Sequence, residues 1–487
     1  MNYKMMGRFF GLILCAESIF MLPSLILALV DAEGRVALGF GLTMLLCALI
    51  GGALLYFCRG AKTDFYAKEG LVCVGLSWIL LCLFGALPIF IGDDIPSFVD
   101  ALFEMVSGFT TTGASICTNV EGLTRATLYW RSFSHWIGGM GVLVFVMALM
   151  PVGGKNEGFT MHLLRAESSG PNVGKLVPRM RRTAMILYLV YVVMTALCFI
   201  FLVFDMPVFD AVCTAFGTAG TGGFGIKNDS LASYSPYVQT VCGVFMLLCG
   251  INFSFYYLIL IGGVVGVLKD EELRLYVGIA LTVMVLITLN VWFGMAGTYE
   301  TVGETIRHAA FQVASIMTTT GYATTDFDLW PAFSKGLLLM LMVIGACAGS
   351  TGGGMKCARV LLLFKSLRRN IRQVLNPRTV QVIRNNGKVV DEKIVTNTNA
   401  YLAAYVIVII LAFLVISLDG FSIGTNFSAV LACFNNIGPG LEAVGPTCNF
   451  AGYSILSKLV LTVCMLAGRL EIFPILVLFS RSTWKRR

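Results

Sequence analysis

Uncharged apolar runs long enough to cross a bilayer recur along the whole chain. A helix needs about 20 such residues to span the hydrocarbon core, and lipid leaves backbone groups without partners unless the span is helical. The 487 residues are 57% hydrophobic and only 13% charged, which excludes an ordinary soluble domain. The pattern therefore predicts an all-α polytopic membrane protein with ten transmembrane helices. The predicted spans lie near residues 9–30, 36–58, 71–92, 127–150, 183–204, 237–267, 276–297, 335–364, 399–418 and 456–480.

Basic residues follow alternate spans, and this asymmetry predicts the orientation of the chain. The longest basic stretch connects the eighth and ninth spans, and the C-terminal tail is also basic. The opposite loops carry Asp93, Asp94 and Glu300. Because positive loops stay in the cytoplasm, both termini are predicted to be cytoplasmic. This topology explains the net charge of +8 better than a nucleic-acid partner does.

Four apolar stretches are too short to cross the bilayer and end in Gly, Thr or Asn, as re-entrant segments do. Their loops read TTTGAS at 110–115, GTGGFG at 220–225, TTTGYA at 318–323 and NNIGPG at 435–440. Aligned on Gly113, Gly222, Gly321 and Gly438, the units repeat the order span, short helix, glycine loop and span. A leading hairpin at 1–60 and four helix–pore loop–helix repeats around a central pore are predicted. The repeats are 61–182, 183–270, 271–393 and 394–487.

The glycine loops suit a dehydrated cation. Backbone carbonyls directed at an axis replace the hydration shell of an ion without adding counter-charges. Holding them inward requires positive φ angles, which glycine reaches at low cost, and the C-terminal ends of the short helices also favour a cation. A single loop of this kind is explained more simply by close packing between helices. Four such loops in equivalent positions favour a pore. The candidate filter residues are Thr110, Thr111, Thr112, Gly113, Gly220, Thr221, Gly222, Thr318, Thr319, Thr320, Gly321, Asn435, Asn436, Ile437 and Gly438.

The eighth run is interrupted by GACAGSTGGG at residues 345–354. Each glycine inside a helix costs about 1 kcal/mol relative to alanine, so we expect the helix to break there. Non-helical backbone at membrane depth must be buried in protein or line a water-filled cavity, and we interpret the segment as a gating loop beneath the filter. The alternative is a passive kink. The candidate gate residues are Gly345, Gly349, Gly352, Gly353, Gly354 and, in the last span, Arg469.

Two motifs and the leading hairpin resemble a known family. The motifs are RSFSHWIGGMG at 131–141 and TTTGYATTDF at 318–327. Together these features resemble the Trk/Ktr/HKT superfamily of potassium transporters, most closely its bacterial TrkH branch, over essentially the whole chain. The resemblance implies a bacterial inner-membrane protein that selects potassium, because relatives with serine in place of Gly113 tend to pass sodium. It also implies K⁺ as the transported ion at the filter residues, no cofactor in this chain, a homodimer, and a TrkA-like cytosolic nucleotide-binding subunit that docks on the basic loops.

Arg469 stands inside the last predicted span, where an ionisable side chain usually faces a cavity or a partner carboxylate. The resemblance places this residue below the filter, where it would act as an electrostatic barrier to cation leak. The alternative is a structural ion pair with Glu104, Glu442 or Glu471. Lys356, at the cytoplasmic end of the eighth run, is a weaker candidate for the barrier.

The sequence indicates transport rather than catalysis. His135, His162 and His308 lack metal-ligand spacing and stand near no convincing pair of nucleophile and base. The GxGxxG spelling in the second loop follows no strand, so it does not predict a dinucleotide site. Two transport classes stay open, a gated channel-like permease and a proton- or sodium-coupled potassium symporter. The absence of a carboxylate from the four filter loops favours the permease.

Overall fold

The computed structural model describes residues 2–60, 67–141, 180–295, 297–379 and 381–484. Within these ranges the chain is almost entirely helical, and its strands form one short antiparallel hairpin, Arg384–Asn385 with Lys388–Val389. The predicted all-α architecture with multiple spans is confirmed. The part of the fourth predicted run after residue 141 lies outside the described residues.

A helical hairpin precedes the four units. Its first arm contains the helices Tyr3–Phe20 and Leu22–Val30, and its second arm is Gly34–Phe57. The arms cross at Gly11 and Gly51, where a Cβ on Gly11 would lie 2.8 Å from the carbonyl oxygen of Gly51. Small residues therefore allow the two backbones to approach closely, as is common between membrane helices.

Each of the four units contains an outer helix, a pore helix, a glycine loop and an inner helix. The outer helices 1 to 4 are Ala67–Ile91, Met180–Leu202, Glu271–Gly294 and Glu392–Ile416. The pore helices 1 to 4 are Phe98–Phe109, Val208–Gly220, Val302–Met317 and Ile423–Phe434. The inner helices 1 to 4 are Arg125–Gly139, Pro236–Cys249, Ala332–Ile344 and Ile455–Arg469. Two further short helices are Val264–Leu268 and Arg481–Trp484.

Side-chain caps fix where three of the pore helices begin. The hydroxyls of Ser97, Thr301 and Ser422 each accept a hydrogen bond from a backbone N–H in the first turn. Pore helix 2 instead begins directly after Pro207. Capping satisfies N–H groups that the first helical turn leaves free, so the start of each helix is well defined. The other end of each pore helix runs directly into its glycine loop.

Inner helices 2, 3 and 4 are each broken. Inner helix 2 continues as Phe253–Leu260 after a bend of 87°, inner helix 3 continues as Cys357–Leu375, and inner helix 4 continues as Phe473–Phe479. In the described residues, six helical segments are long and apolar enough to cross a membrane if the two helices of the first arm count as one, and the bent pair adds a seventh. The sequence predicted only the break in the eighth span. The breaks inside the spans predicted at 237–267 and 456–480 were not predicted, because a hydropathy average does not register a few non-helical residues.

Inner helices 1 and 4 press against the ends of the pore helices in their own units. A Cβ on Gly138 would overlap the terminal carbonyl of pore helix 1, at Phe109. A Cβ on Gly468 would overlap the carbonyl of Phe434, in the matching place of unit 4. These backbone contacts position the pore-helix ends and leave room only for glycine.

We expect Gly138→Ala to destabilise the protein by about 1–3 kcal/mol, because the added methyl group meets backbone atoms that cannot rotate away. Gly52→Ala in the leading hairpin is the matched control, since nothing lies within 4 Å of its added methyl group. Thermal unfolding in detergent, followed by tryptophan fluorescence, measures both effects. An unchanged melting temperature for Gly138→Ala would contradict the close contact.

Candidate functional site: a ring of four glycine loops

The four glycine loops meet in a closed ring. Each contains a glycine with positive φ, namely Gly113 at 78°, Gly223 at 83°, Gly321 at 87° and Gly438 at 98°. A Cβ on any of these ring glycines would press against a carbonyl oxygen of the next unit. That oxygen belongs to the residue just before the ring glycine of the next unit. In order, these oxygens belong to Gly222, Thr320, Ile437 and Thr112. The last contact returns from unit 4 to unit 1, so the loops surround one axis in chain order.

All four loops share one backbone turn. The residue two positions before each glycine is also left-handed, with φ of 55° at Thr111, 54° at Thr221, 59° at Thr319 and 57° at Asn436. The following N–H donates to a carbonyl five residues earlier in the pore helix, at 2.8–2.9 Å. Left-handed backbone is costly for residues that carry a Cβ, so four copies indicate a geometry imposed by the surrounding structure.

The alignment of the second loop on Gly222 is wrong by one residue. Gly223 has the positive φ and the carbonyl contact of the other three ring glycines, whereas Gly222 does not have a positive φ. Position 222 is glycine for a different reason, because a Cβ there would overlap the imidazole of His135. Gly223 is missing from the candidate filter residues. Thr221 lies two residues before Gly223, as Thr111 and Thr319 lie two residues before their ring glycines. This spacing is the sequence signal that identifies Gly223.

Hydroxyl groups brace the first and third loops. The hydroxyl oxygens of Thr110 and Thr112 lie 2.8 Å apart, and those of Thr318 and Thr320 lie 2.8 Å apart. The first threonine of each pair also donates to a carbonyl in the last turn of its pore helix. Among the described residues, the buried hydroxyl of Thr111 has no hydrogen-bond partner. Most of these side chains therefore hold the loops in place, and the backbone carbonyls are the principal oxygens left for an ion.

Asparagines take the place of these threonines in the fourth loop. The Nδ2 of Asn436 donates to the hydroxyl of Thr112 in the first loop and to the carbonyl of Met465, each at 3.0 Å. The hydroxyl of Tyr405 donates to Oδ1 of Asn435 at 3.0 Å. The fourth loop is thus held by an outer helix, an inner helix and a neighbouring loop.

A cavity of about 160 Å³ opens beside the ring and is lined by residues of all four units. Three of the ring glycines line it, and so do Pro439 and several residues that follow the glycines. The cavity lies on the side where the chain leaves the ring toward the inner helices.

A buried ion pair supports the exit of the first loop. Arg131 of inner helix 1 lies 2.7 Å from Glu104 of pore helix 1, and the two side chains are 2% and 0% exposed. The Glu104 carboxylate also accepts hydrogen bonds from the Ser115 hydroxyl and the Ile116 N–H, at 2.9 and 3.0 Å. The carboxylate therefore holds the residues just after Gly113, and Arg131 balances its charge.

Residues 345–356 lie against the ring on the side where the pore helices enter it; we call them the gating segment. The N–H of Gly353 donates to the hydroxyl of Thr319 at 2.5 Å. A Cβ on Gly352 would lie 2.8 Å from the carbonyl oxygen of Thr318, and one on Gly353 would overlap the carbonyl of Asn435. The gating segment therefore contacts the starts of the third and fourth loops.

The gating segment has a defined backbone that is tied to unit 2. Its left-handed glycines are Gly345, Gly349 and Gly354, with φ of 70°, 72° and 76°. The N–H of Cys347 donates to the carbonyl of Gly250, and the N–H of Phe253 donates to the carbonyl of Gly349, both at 3.0 Å. These bonds attach the segment to the break in inner helix 2.

Arg469 joins the gating segment to inner helix 1. Its guanidinium donates to the carbonyl of Thr351 at 2.8 Å, to the carbonyl of Gly139 at 2.6 Å and to the carbonyl of Gly138. Lys356 is buried and donates to the carbonyl of Gly352 within the gating segment itself. Both cationic side chains therefore bind backbone carbonyls near the ring.

The three carboxylates considered as partners for Arg469 are engaged elsewhere. Glu104 and Glu471 form ion pairs with Arg131 and Arg359. Glu442 accepts hydrogen bonds from hydroxyls at the start of pore helix 4, and these bonds lower the pKa of its carboxyl group. The hydrogen bonds of Arg469 to carbonyls account for its position without those ion pairs.

No group of three or more His, Cys, Asp or Glu side chains that could hold a metal ion occurs in the described part of the chain. The four ring loops carry no charged residue, so a cation held by the ring would meet neutral oxygen ligands. Such ligands exchange an ion more readily than a cage of carboxylates, which suits passage rather than permanent binding.

Known proteins are similar to the chain over its full length. Residues 39–486 match the family model described as TrkH, cation transport protein. The Trk system potassium uptake proteins TrkH of Salmonella typhimurium and Escherichia coli are 37% and 36% identical, with all of both chains covered in each case. The crystal structure of the potassium transporter TrkH from Vibrio parahaemolyticus has a TM-score of 0.87 and 33% identity, again over the whole of both chains.

We expect Glu104→Gln to cost about 3–5 kcal/mol of stability, because it leaves the guanidinium of Arg131 buried without its counter-charge. Asp93→Asn is the control, since it removes one partner of an exposed pair with Arg35 and should cost less than about 1 kcal/mol. Thermal unfolding of both variants in one detergent measures the difference. Equal stability of the two variants would rule out the role given to the buried pair.

Proposed function

Because the chain belongs to the TrkH family of cation transport proteins, we propose that it takes up potassium across the bacterial inner membrane through a gated, potassium-selective pore. The observation that carries this proposal is the closed ring of glycine loops, in which each ring glycine lies beside a backbone carbonyl of the next loop. The relatives are named potassium uptake proteins, which supports potassium as the transported ion. The proposed activity is transport, with no catalytic step.

Carbonyl oxygens of the ring would replace the hydration shell of the ion. No candidate filter residue is charged, so the ion meets dipoles that stabilise it without trapping it. The C-terminal ends of four pore helices approach the ring, and their partial negative charge favours a cation in the same place. Glycine at all four ring positions keeps the carbonyls free of side chains.

The gating segment and Arg469 would close the path on the cytoplasmic side of the ring. The segment contacts the third and fourth loops, and the guanidinium of Arg469 adds a positive charge that repels a cation. Opening would require the segment to move away from Thr319. It would also require Arg469 to release the carbonyl of Thr351. Both contacts are hydrogen bonds, so a conformational change of modest free-energy cost would suffice.

A TrkA-like cytosolic nucleotide-binding subunit is the proposed regulator, and a second copy of this chain is a proposed partner. The helix Cys357–Leu375 continues directly from the gating segment and carries Arg368 and Arg372. Leu367, Ile371 and Val374 are exposed on the same helix. Force applied there by a partner would act on the gating segment through continuous backbone. The basic charge of this connection also supports cytoplasmic termini.

Reversal potentials of the purified protein in planar bilayers test the proposed function. With potassium, sodium and proton gradients set independently, we expect the reversal potential to follow the potassium gradient alone. A reversal potential that moves with the proton or sodium gradient at fixed potassium would instead support the coupled symporter. A protein that passes no potassium, although correctly folded, would overturn the proposal.

We expect Arg469→Ala to raise potassium flux into liposomes in the absence of a regulator by about tenfold or more, because it removes charge-assisted hydrogen bonds to the gating segment. Arg469→Lys separates the two roles of the side chain. Lysine keeps the charge but lacks the planar fork that reaches several carbonyls, so a pure charge barrier would survive in this variant. Wild-type flux in Arg469→Ala would contradict any role in closure.

A further inference from the structure

We infer that Arg131 and His135 are positioning residues for the second filter loop, and that through Phe224 they set the cation selectivity of the pore. The inference rests on the proposed potassium transport. Both residues belong to inner helix 1, one turn apart, and they act on the loop of the neighbouring unit. Phe224 directly follows Gly223, the ring glycine of that loop.

The second loop lacks the side chains that brace the other three. The two threonines of the first and third braces are replaced by Gly220 and Gly222. The one remaining hydroxyl, that of Thr221, donates to the carbonyl of Gly220 within the loop itself. The second loop therefore depends on neighbouring elements for its shape more than the other loops do.

The imidazole of His135 occupies the space that a side chain at position 222 would need. A Cβ on Gly222 would overlap three atoms of the ring, and a Cβ on Gly220 would lie 2.5 Å from the carbonyl oxygen of His135. Gly220 and Gly222 are thus required by the approach of inner helix 1. The histidine ring stands where the first and third loops have their second threonine.

His135 also links two filter loops by hydrogen bonds. Its Nδ1 lies 2.7 Å from the carbonyl oxygen of Gly108, in the last turn of pore helix 1, and its Nε2 lies 3.2 Å from the backbone nitrogen of Phe224. Since a backbone N–H can only donate and a carbonyl can only accept, Nδ1 carries the proton and Nε2 accepts. The neutral ring therefore joins the end of pore helix 1 to the residue just after Gly223.

Arg131 packs against the face of the Phe224 ring. Its guanidinium carbon lies 4.2 Å from the centroid of the Phe224 ring, while His135 lies 4.3 Å from it, centroid to centroid. Phe224 is 2% exposed, so the cation–π contact is largely desolvated. Because Arg131 is also paired with Glu104, it connects the exits of the first and second loops.

The third loop adds one more contact to Phe224. The hydroxyl of Tyr322, which follows the ring glycine of unit 3, donates to the carbonyl of Phe224 at 3.4 Å. Phe224 is thus held through its ring, its N–H and its carbonyl by groups from units 1 and 3. Fixing this residue fixes the carbonyl directions of Gly222 and Gly223, and those directions decide which ion size the ring accommodates.

The test measures the potassium-to-sodium permeability ratio of the purified full-length protein in bilayers under bi-ionic conditions. We expect His135→Leu, which keeps bulk but makes no hydrogen bond, to lower the ratio by about tenfold. His135→Gln keeps one donor and one acceptor and should recover part of the loss. Trp136→Phe is the control on the same helix and should retain the wild-type ratio, because its side chain binds Thr195 on outer helix 2. A folded, conducting His135→Leu with the wild-type ratio would overturn the inference.

Phe224→Leu provides an independent variant if His135→Leu does not fold. It removes the ring under Arg131 but keeps the backbone N–H, so we expect a smaller fall in the permeability ratio. A wild-type permeability ratio in this variant would show that the contact between Arg131 and Phe224 does not set the selectivity. Failure of the wild-type protein to conduct potassium would overturn the proposed function instead, so the two failures are distinguishable.

A compensation experiment tests the contact between His135 and Gly222 directly. We expect Gly222→Ala to abolish potassium flux in the wild-type background, because its methyl group meets the imidazole. In a His135→Ala background the same change should be tolerated, with flux close to that of His135→Ala alone. Equal damage in both backgrounds would show that the ring does not shape the loop.

Discussion

The contact between each ring glycine and the carbonyl of the next unit is the constraint on which the rest of the structure depends. Four loops can approach this closely only if no side chain stands between them, and a methyl group on any ring glycine would press against backbone of the neighbouring loop. The pore helices, their caps and the inner helices with their glycine contacts all serve to bring these four turns together. A closed ring of backbone turns is the consequence of that approach.

The backbone of the ring repeats closely, whereas its support does not. Threonine pairs brace loops one and three, asparagines reach from loop four to neighbouring elements, and a histidine from unit 1 takes the place of a brace in loop two. Repeated backbone with unequal bracing means that a substitution at one loop is not equivalent to the same substitution at another. The selectivity proposed for the ring would therefore depend on all four loops.

The gating segment is attached to this asymmetric support. It bonds to Thr319, and it contacts the starts of the third and fourth loops. Arg469 and the break in inner helix 2 hold it from two other units. The proposed closure would thus involve contacts among several units. A movement of the helix Cys357–Leu375 would reach the ring through one hydrogen bond and two close backbone contacts.

The sequence alone determined the helical, multi-span class, the four glycine loops and the break at 345–354, because hydrophobic length and glycine content are local properties. It did not determine the register of the second loop, since GTGGFG contains four glycines and the φ angle of Gly223 is needed to identify the one that belongs to the ring. The breaks in inner helices 2 and 4 were also missed, as they interrupt strongly apolar runs by a few residues. The partners of Arg469 and the place of His135 beside Gly222 depend on which units are neighbours around the ring. Only tertiary structure decides that, because contacts between residues hundreds of positions apart leave no periodic trace in the chain.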